Sequence, residues 1–435
     1  MYKRKIEEYL KKWKKDDKKE CLLVRGARQI GKTTSIREFG KNYESFIEVN
    51  FLKTGSAKKI FSGDLDTESL ILNFSLYMPE ARFIPGKTLV FLDEIQECPE
   101  AMTSLKFWRE DHRFDVIASG SMLGIDLHRP KSYPVGSVTY YDMQSMCFEE
   151  FLRAYGLSEE LSETLRSCFN ERKKVPDAVN DKMMELLRTY MVVGGMPEAV
   201  KTYLDKHSLS SCYEKQQSIL RDYRYDIAHY ASADVKLKAE KCYFSLPEQL
   251  SGENRKFQYS VVEKGGNARK YQTSLDWLLG AYLVICSDNV SRMTSPLKNY
   301  KEHGQFRLYA SDIGLLTAMY DYDINVKILE DSFDKAAGYV RGGLYEALIA
   351  EMLWKSGHHD LYFRKDSKGT FELEFLIEEN GDVIPVEVKA KNSRSKSLDH
   401  ALEREEIPYG YKLISGNEGV SGKKITLPLY MAMYL

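Results

Sequence analysis

What the sequence has little of narrows the field first. Long apolar runs are missing. The longest nearly apolar stretch, Trp277 to Cys286, falls far short of the ~20 residues that a membrane-spanning helix needs. The basic start, Met1-Tyr-Lys-Arg-Lys5, leads into Ile6-Glu-Glu-Tyr-Leu10 and not into an apolar signal core. Cysteine is sparse: seven residues, at 21, 98, 147, 168, 212, 242 and 286, widely spread and with no C-x-x-C pair. That gives no support to a zinc ribbon and argues against a disulfide framework. Charge of one sign is also lacking, because 63 Lys and Arg against 64 Asp and Glu leave a formal net charge of −1. No global field recruits nucleic acid or a membrane surface, so any polyanion-binding surface is local. The expectation is a cytoplasmic protein with reduced thiols and no membrane partner.

What is present is ordinary globular composition, 43% hydrophobic and 29% charged residues, which argues against disorder. At 435 residues the chain is too long for one core, and about two to four domains are expected. Residues 2–14 place Tyr2, Ile6, Tyr9, Leu10 and Trp13 at helical spacing among lysines. Short β-type runs follow at 21–25, 46–51, 88–92, 114–118 and 137–141, mostly separated by helical patterns. This is the layout of a parallel α/β sheet. Residues 146–232 read as helices (148–155, 161–172, 182–193 and 210–228). Within 236–325, helices at 236–250 and 268–279 precede β-like runs at 282–287 and 306–310, which suggests a winged helix-turn-helix. A helix over 342–355 then leads into strands at 360–364, 371–378 and 383–389. Neither internal repeats nor a low-complexity linker interrupts the chain. The organisation expected is a parallel α/β core over 1–145, a helical unit over 146–232, a winged helix over 233–330 and a third α/β unit over 331–435.

The strongest motif is Gly26-Ala27-Arg28-Gln29-Ile30-Gly31-Lys32-Thr33, a G-x-x-x-x-G-K-[ST] phosphate-binding loop followed by Thr34. It follows the strand Leu22-Leu23-Val24 and opens a helix, the context the motif requires. Glycines let the backbone curl so that successive N–H groups face a phosphate, and the helix N-terminus adds its dipole. Lys32 then reaches the β/γ-phosphates, and Thr33 places its hydroxyl on Mg²⁺. Thr88-Leu-Val-Phe-Leu-Asp93-Glu94 is a buried strand ending in two acids, at the end where α/β sheets bind ligands. Asp93 is the candidate Mg²⁺ holder, and Glu94 the residue that orients and polarises the attacking water. Ser119, in Ser119-Gly-Ser121, is the candidate γ-phosphate or water sensor. Arg109 and Arg129 are candidates for an arginine that stabilises transition-state charge.

These motifs, in this order, resemble the prokaryotic AAA-type ATPases that carry a domain of unknown function after the ATPase core. The residues responsible are G-A-R-Q-I-G-K-T-T at 26–34, L-V-F-L-D-E-I-Q at 89–96 and A-S-G-S at 118–121. Phe148-Glu-Glu-Phe151, Tyr190-Met-Val-Val-Gly194-Gly195-Met-Pro197-Glu198, Leu308-Tyr-Ala-Ser-Asp312-Ile-Gly314-Leu-Leu, Glu346 and Glu387-Val-Lys389 add to it. The resemblance implies an AAA+ core with ATP and Mg²⁺ as cofactors, a helical lid, a winged helix and a C-terminal restriction-endonuclease-like module. Gly136-Ser137 departs from the Gly-Arg common in the family before the fifth strand. The Gly194-Gly195 turn reads as structural, a helix stop.

Two further regions carry chemistry. Asn267-Ala-Arg269-Lys270-Tyr-Gln272 begins a candidate recognition helix, with Asn254, Arg255 and Lys256 nearby and Arg292, Lys298, Lys301 and Arg307 on the wing. Basic and amide side chains there suit a major groove, and a protein-contact face is the other reading. Glu379-Asn380-Gly381-Asp382 is a two-residue hairpin signal. Its register sets Glu374 opposite Glu387 and Glu372 opposite Lys389, with Leu373, Phe375 and Ile377 on the other, apolar side. Opposed carboxylates repel unless a cation sits between them, and a hard divalent ion would serve. Glu346, Glu374, Glu387 and Lys389 resemble the restriction-endonuclease-like metal site, in which the family prefers Asp at the position of Glu374. The expected function is a Mg²⁺-dependent ATPase acting on or near double-stranded DNA. The alternatives are an ATP-regulated DNA nuclease and a nucleotide-gated switch whose nuclease-like module docks a protein partner.

Overall fold

A computed structural model describes residues 2–121, 136–333, 337–390, 394–417 and 419–435. Backbone contacts divide the chain into two compact units, Met1–Ser145 with Gly280–Tyr282, and Met146–Leu279 with Leu283–Leu435.

In the first unit, strands β1 (Cys21–Arg25), β2 (Ser45–Asn50), β3 (Thr88–Asp93), β4 (Asp115–Gly120) and β5 (Val138–Asp142) form one sheet. Its order is β2-β3-β4-β1-β5, with every pairing parallel. The sequence T-L-V-F-L-D of β3 is buried throughout, as a strand covered on both faces requires. Insertion of β4 between β1 and β3 sets Ser119 beside both Val24 and Asp93, while Asn50 lies beside Asp93 from β2. Four strands thus deliver their C-terminal ends to one edge. On one face the helices Thr67–Tyr77 and Pro99–Asp111 bury Phe74 and Trp108 edge to face, 6.4 Å apart. Each such side chain contributes about 1.5–3 kcal/mol on burial. The N-terminal helix, Lys5–Lys14, buries Ile6, Leu10 and Trp13, the stripe expected from their spacing.

The second unit opens with the helices Phe148–Tyr155, Glu159–Glu171, Asp177–Val193, Pro197–Lys206 and Leu209–Tyr230. The helix Pro197–Lys206 restarts directly after the Gly194-Gly195 turn, with Pro197 in the first turn, where its missing N–H costs nothing. Pro247 likewise splits the expected helix 236–250 into Ala233–Phe244 and Leu246–Ser251. Both glycines are held by close approach. A Cβ on Gly195 would lie 2.0 Å from the Met146 carbonyl oxygen, and one on Gly194 2.7 Å from Gly314 Cα. Behind this contact lies a buried polar knot. Asp312 accepts the Gly195 N–H at 2.9 Å and caps Leu315 at 3.1 Å. Glu351 accepts the Ile313 N–H at 2.6 Å and the Tyr190 hydroxyl at 2.6 Å, and pairs with Lys355.

Strands β6 (Val284–Val290), β7 (Lys301–Ala310), β8 (Leu361–Lys365), β9 (Glu372–Glu379), β10 (Asp382–Lys389), β11 (Gly410–Ile414), β12 (Gly419–Ser421) and β13 (Lys424–Pro428) form a single sheet. Its order is β12-β13-β11-β10-β9-β8-β6-β7. The expected boundary near residue 330 therefore falls between strands of one sheet, since β6 pairs with β8. Helix Ala268–Gly280 followed by the β6–β7 hairpin has the order read from sequence. Asn380 and Gly381 both adopt positive φ, +52° and +91°, as the Asn-Gly turn requires. The expected register holds from Asp382–Glu379 to Val386–Phe375. Beyond it, strict alternation fails. The β8–β9 register shifts between Tyr362 and Arg364, and Leu373 and Leu376 enter the same core cluster. A bulge re-aims the residues between them.

Candidate functional sites

The loop after β1 is shaped by backbone that other residues would strain. Gly26 has φ +142°, and a Cβ there would sit 2.1 Å from the Met143 carbonyl oxygen. Gln29 and Gly31 also have positive φ, +64° and +96°. Ala27 and Ile30 are buried beneath the loop, while Thr34 is exposed on the first turn of helix Lys32–Gly40. Lys32 is 6% exposed, and its ammonium donates to the carbonyls of Gly26 at 2.8 Å and Ala27 at 2.7 Å. Burial pushes its pKa down to about 8, against the opposing pull of Glu94 and Asp93. A phosphate beside it would favour the charged form.

Asp93 gathers the neighbouring strand ends. Its carboxylate accepts from Thr33 at 3.0 Å, from Asn50 at 2.8 Å and from the Ser119 hydroxyl. Thr33, on the first turn of helix Lys32–Gly40, and Asp93, at the end of β3, are neighbouring hard oxygen donors and suit Mg²⁺. Glu94 has φ +56°, a left-handed conformation for a residue with a side chain. Its carboxylate accepts from Gln96 at 2.7 Å and Ser121 at 3.4 Å, and Ser121 accepts from Arg28 at 3.3 Å. Sequence reading missed Asn50 and Gln96. The end of β2 was a findable place for Asn50, because strand ends at one edge converge. It also missed Arg4, whose guanidinium donates to the Ile30 carbonyl inside the loop at 2.8 Å and to Gln144 at 2.7 Å. No sequence signal marks it. Arg109 shares a small cavity with Cys21 and Asp115, the first residues of β1 and β4, at the edge opposite the loop. Arg129 lies outside the described residues.

Residues 18–152 match the AAA domain family. Over these residues the chain is similar to P-loop domains of the AAA type. Behind the AAA domain, residues 184–326 and 341–432 match two domains of unknown function, DUF8612 and DUF4143. A search among curated proteins finds no match. Among solved structures, the chain is similar to the Walker-type ATPase PABY2304 of Pyrococcus abyssi at 12% identity and a TM-score of 0.42, covering 73% of this chain and 96% of that one. It is also similar to the Orc1 protein of Aeropyrum pernix, solved in complex with DNA. There the identity is 13% and the TM-score 0.28, covering 76% of this chain and 91% of that one. Both likenesses are distant. Among the described residues, no helix is long and apolar enough to cross a membrane.

The C-terminal acids are placed differently from the sequence expectation. Lys389 joins two of them, at 3.3 Å from Glu374 and 2.9 Å from Glu387. Glu374 also accepts the Val388 N–H at 3.2 Å. Burial and the nearby Glu387 push the Glu374 pKa up to about 7, although Lys389 pulls it down. Glu387 Oε2 is buried without a hydrogen-bond partner among the described residues. These two acids offer oxygen donors that fit a divalent ion. Glu346 does not complete the set: its carboxylate is held by Arg307 at 2.8 Å, by Tyr309 at 2.5 Å and by Arg255. Glu372 is not opposite Lys389 in contact terms. It pairs with Arg307 and, at 2.8 Å, with Lys365, because the bulge has turned the strand. No group of three or more metal-ligating side chains occurs among the described residues.

The candidate recognition helix exposes Asn267, Arg269, Lys270 and Gln272 and buries Tyr271, Leu275 and Leu278. Lys270 is tied to Glu263 at 2.7 Å, an acid held down at about 2 by Lys270 and Tyr271. Two basic residues placed with this surface by sequence are internal. Arg255 is paired to Glu346, and Arg307 has no exposure and lies 4.2 Å from the Phe363 ring centre. Arg307 and Tyr309, two residues apart on β7, share one face of the strand and both reach Glu346, although Arg307 through Ala310 are all buried.

Proposed function

We propose that the protein is a Mg²⁺-dependent ATPase that hydrolyses ATP to ADP and phosphate and couples nucleotide state to contact with DNA. One observation carries this reading: Lys32, Thr33, Asp93, Ser119 and Glu94 meet at the C-terminal edge of a parallel sheet, around a loop whose N–H groups open a helix. Lys32 exchanges the loop carbonyls for the β/γ-phosphates. Thr33 and Asp93 hold Mg²⁺, which when bound neutralises phosphate charge. Glu94 orients the attacking water and polarises its O–H, while Gln96 and Ser121 fix the carboxylate. Ser119 links Asp93 to the end of β4 and reports on the γ-phosphate. The DNA contact is assigned to Arg269 and Lys270 on the exposed helix face of a winged-helix segment.

The C-terminal unit is read as a nuclease-like module that docks a partner, since Glu346 is neutralised by two arginines. A second reading, an ATP-regulated nuclease, is favoured by the unpartnered Glu387 Oε2 beside Glu374 and Lys389. The deciding experiment measures ATP hydrolysis and DNA cleavage together, with and without DNA and Mg²⁺. Turnover that needs Mg²⁺ and Lys32, without cleavage, supports the first reading. Cleavage that is lost in Glu387→Gln supports the second. Absence of turnover overturns the ATPase assignment.

A further inference from the structure

We propose that the cavity lined by Arg364, Lys396, His400 and Arg404 is a binding site for a phosphate ester. It is an open cleft of about 400 Å³ between the end of β8 and the helix Lys396–Leu402, with Asp366 and Phe371 on its remaining wall.

The charge is one-sided. Asp366 is the sole acid of the lining, and its carboxylate is turned into its own loop, accepting from the Thr370 N–H at 2.8 Å, the Thr370 hydroxyl at 2.7 Å and the Phe371 N–H at 3.2 Å. Outside the lining, Glu403 reaches the His400 ring at 3.2 Å. Lys396 and Arg404 have no ion-pair partner among the described residues, although other lysines of this unit do. Lys365 has Glu372 at 2.8 Å, Lys389 has Glu387 at 2.9 Å and Lys424 has Asp399 at 2.7 Å. Like charges gathered on a fixed frame repel, and an anion between them removes the repulsion.

The geometry selects the anion. Arg364 donates to the Lys365 carbonyl at 2.7 Å, which fixes the plane of its guanidinium and leaves donors for a planar or tetrahedral oxyanion. Ser397 Oγ accepts the Glu372 N–H at 3.2 Å, so its own hydrogen remains a donor to the cavity. Three basic side chains, an imidazole and a hydroxyl suit a phosphate better than a single carboxylate. Phe371 meets the His400 ring edge-on at 5.9 Å, giving one apolar side on which a sugar or base can rest. The phosphate is argued from these residues alone. Naming a DNA strand as its source rests on the DNA-linked reading above.

The test uses the full chain carrying Lys32→Ala, so that the P-loop does not compete, and a fluorescein-labelled single-stranded oligonucleotide read by anisotropy at several salt concentrations. The double variant Lys396→Ala/Arg404→Ala removes two exposed side chains and is checked for an unchanged melting temperature. Binding is expected to weaken about tenfold or more, and the slope of log K against log salt to fall by about 1.4 if two phosphate contacts are lost. Lys396→Arg/Arg404→Lys restores both. Titration of dAMP by calorimetry separates the sources. Displacement of the oligonucleotide by dAMP assigns a mononucleotide, and binding of the strand without displacement assigns DNA. Heat with dAMP that is lost in the double variant, with no strand binding, keeps the cavity and removes the DNA reading. Equal binding and equal slopes in parent and double variant, or no binding of strand or dAMP to either, overturn the proposal.

Discussion

Arg307 on β7 and Glu346 on helix Gly338–Ser356 meet at 2.8 Å with neither side chain reaching solvent. A buried pair withstands desolvation better the more of its remaining donors and acceptors are satisfied. Here Arg255 and Tyr309 take further positions on Glu346 and Glu372 takes the second arm of Arg307, while Arg307 Nε and Arg255 Nε are left without a hydrogen-bond partner among the described residues. This cluster ties the β6–β7 hairpin to the C-terminal strands more firmly than the chain order implies.

Arg307→Met is therefore expected to destabilise the second unit by about 3–5 kcal/mol, because it leaves a buried carboxylate undercompensated. Arg307→Met combined with Glu346→Gln should recover part of the loss. A fragment of residues 331–435 alone lacks β6, β7, Arg255 and Arg307 and is expected to aggregate or remain unfolded. Urea unfolding of the variants and circular dichroism of the fragment check this. A folded, soluble fragment would contradict it.

For the nucleotide site, Lys32→Ala is expected to abolish tight ATP binding. The parent should also take up protons on binding ATP at pH 8 to 9. Burial holds the Lys32 pKa at about 8 against an ordinary 10.5, so part of the population is neutral there, and a phosphate draws the proton back. The sign for folding agrees: the unfolded chain binds more protons between these values, so this group's contribution to stability rises with pH across that window. Calorimetry in buffers of different ionisation enthalpy measures the uptake. No uptake at pH 8.5 would place the lysine away from the phosphates.

Glu94→Gln should keep ATP affinity and reduce turnover by about 10²–10⁴-fold, the usual contribution of a positioned general base. Single-turnover hydrolysis and equilibrium binding, measured on the same preparation, separate the two effects. Parent-like turnover would remove Glu94 from the mechanism.

In the C-terminal unit, Glu374→Gln should stabilise the protein at pH 8 and have little effect at pH 4.5. The folded carboxyl ionises only near 7, against 4.5 ordinarily, so the parent loses stability as pH rises from the lower value through the higher one. The amide does not ionise and abolishes that loss. Melting temperatures of parent and variant across this range give the answer, and parallel curves would show that Lys389 compensates the charge fully.

Much was legible in the sequence wherever a local rule dictated structure. The P-loop, the acidic end of β3, the Asn380-Gly381 turn and the helices before and after residue 194 follow from spacing, glycine conformation and periodicity, which neighbours in the chain enforce. Three-dimensional packing decided the rest. Asn50 and Arg4 join the nucleotide site because strand order and helix packing bring distant backbone together, whereas Gln96 reaches Glu94 from only two residues along the chain. Arg255 and Arg307 looked like surface cations and became internal counter-ions, since a long side chain's destination depends on which carboxylate the fold buries beside it. The bulge in β9 moved Glu372 to Arg307 and Lys365 and left Glu374 with Lys389, because a strand read by alternation alone cannot reveal where its partner inserts a shift. The sequence determined the chemistry available at each position, and the tertiary structure decided which charges meet, because electrostatic pairing acts through space and is blind to separation along the chain.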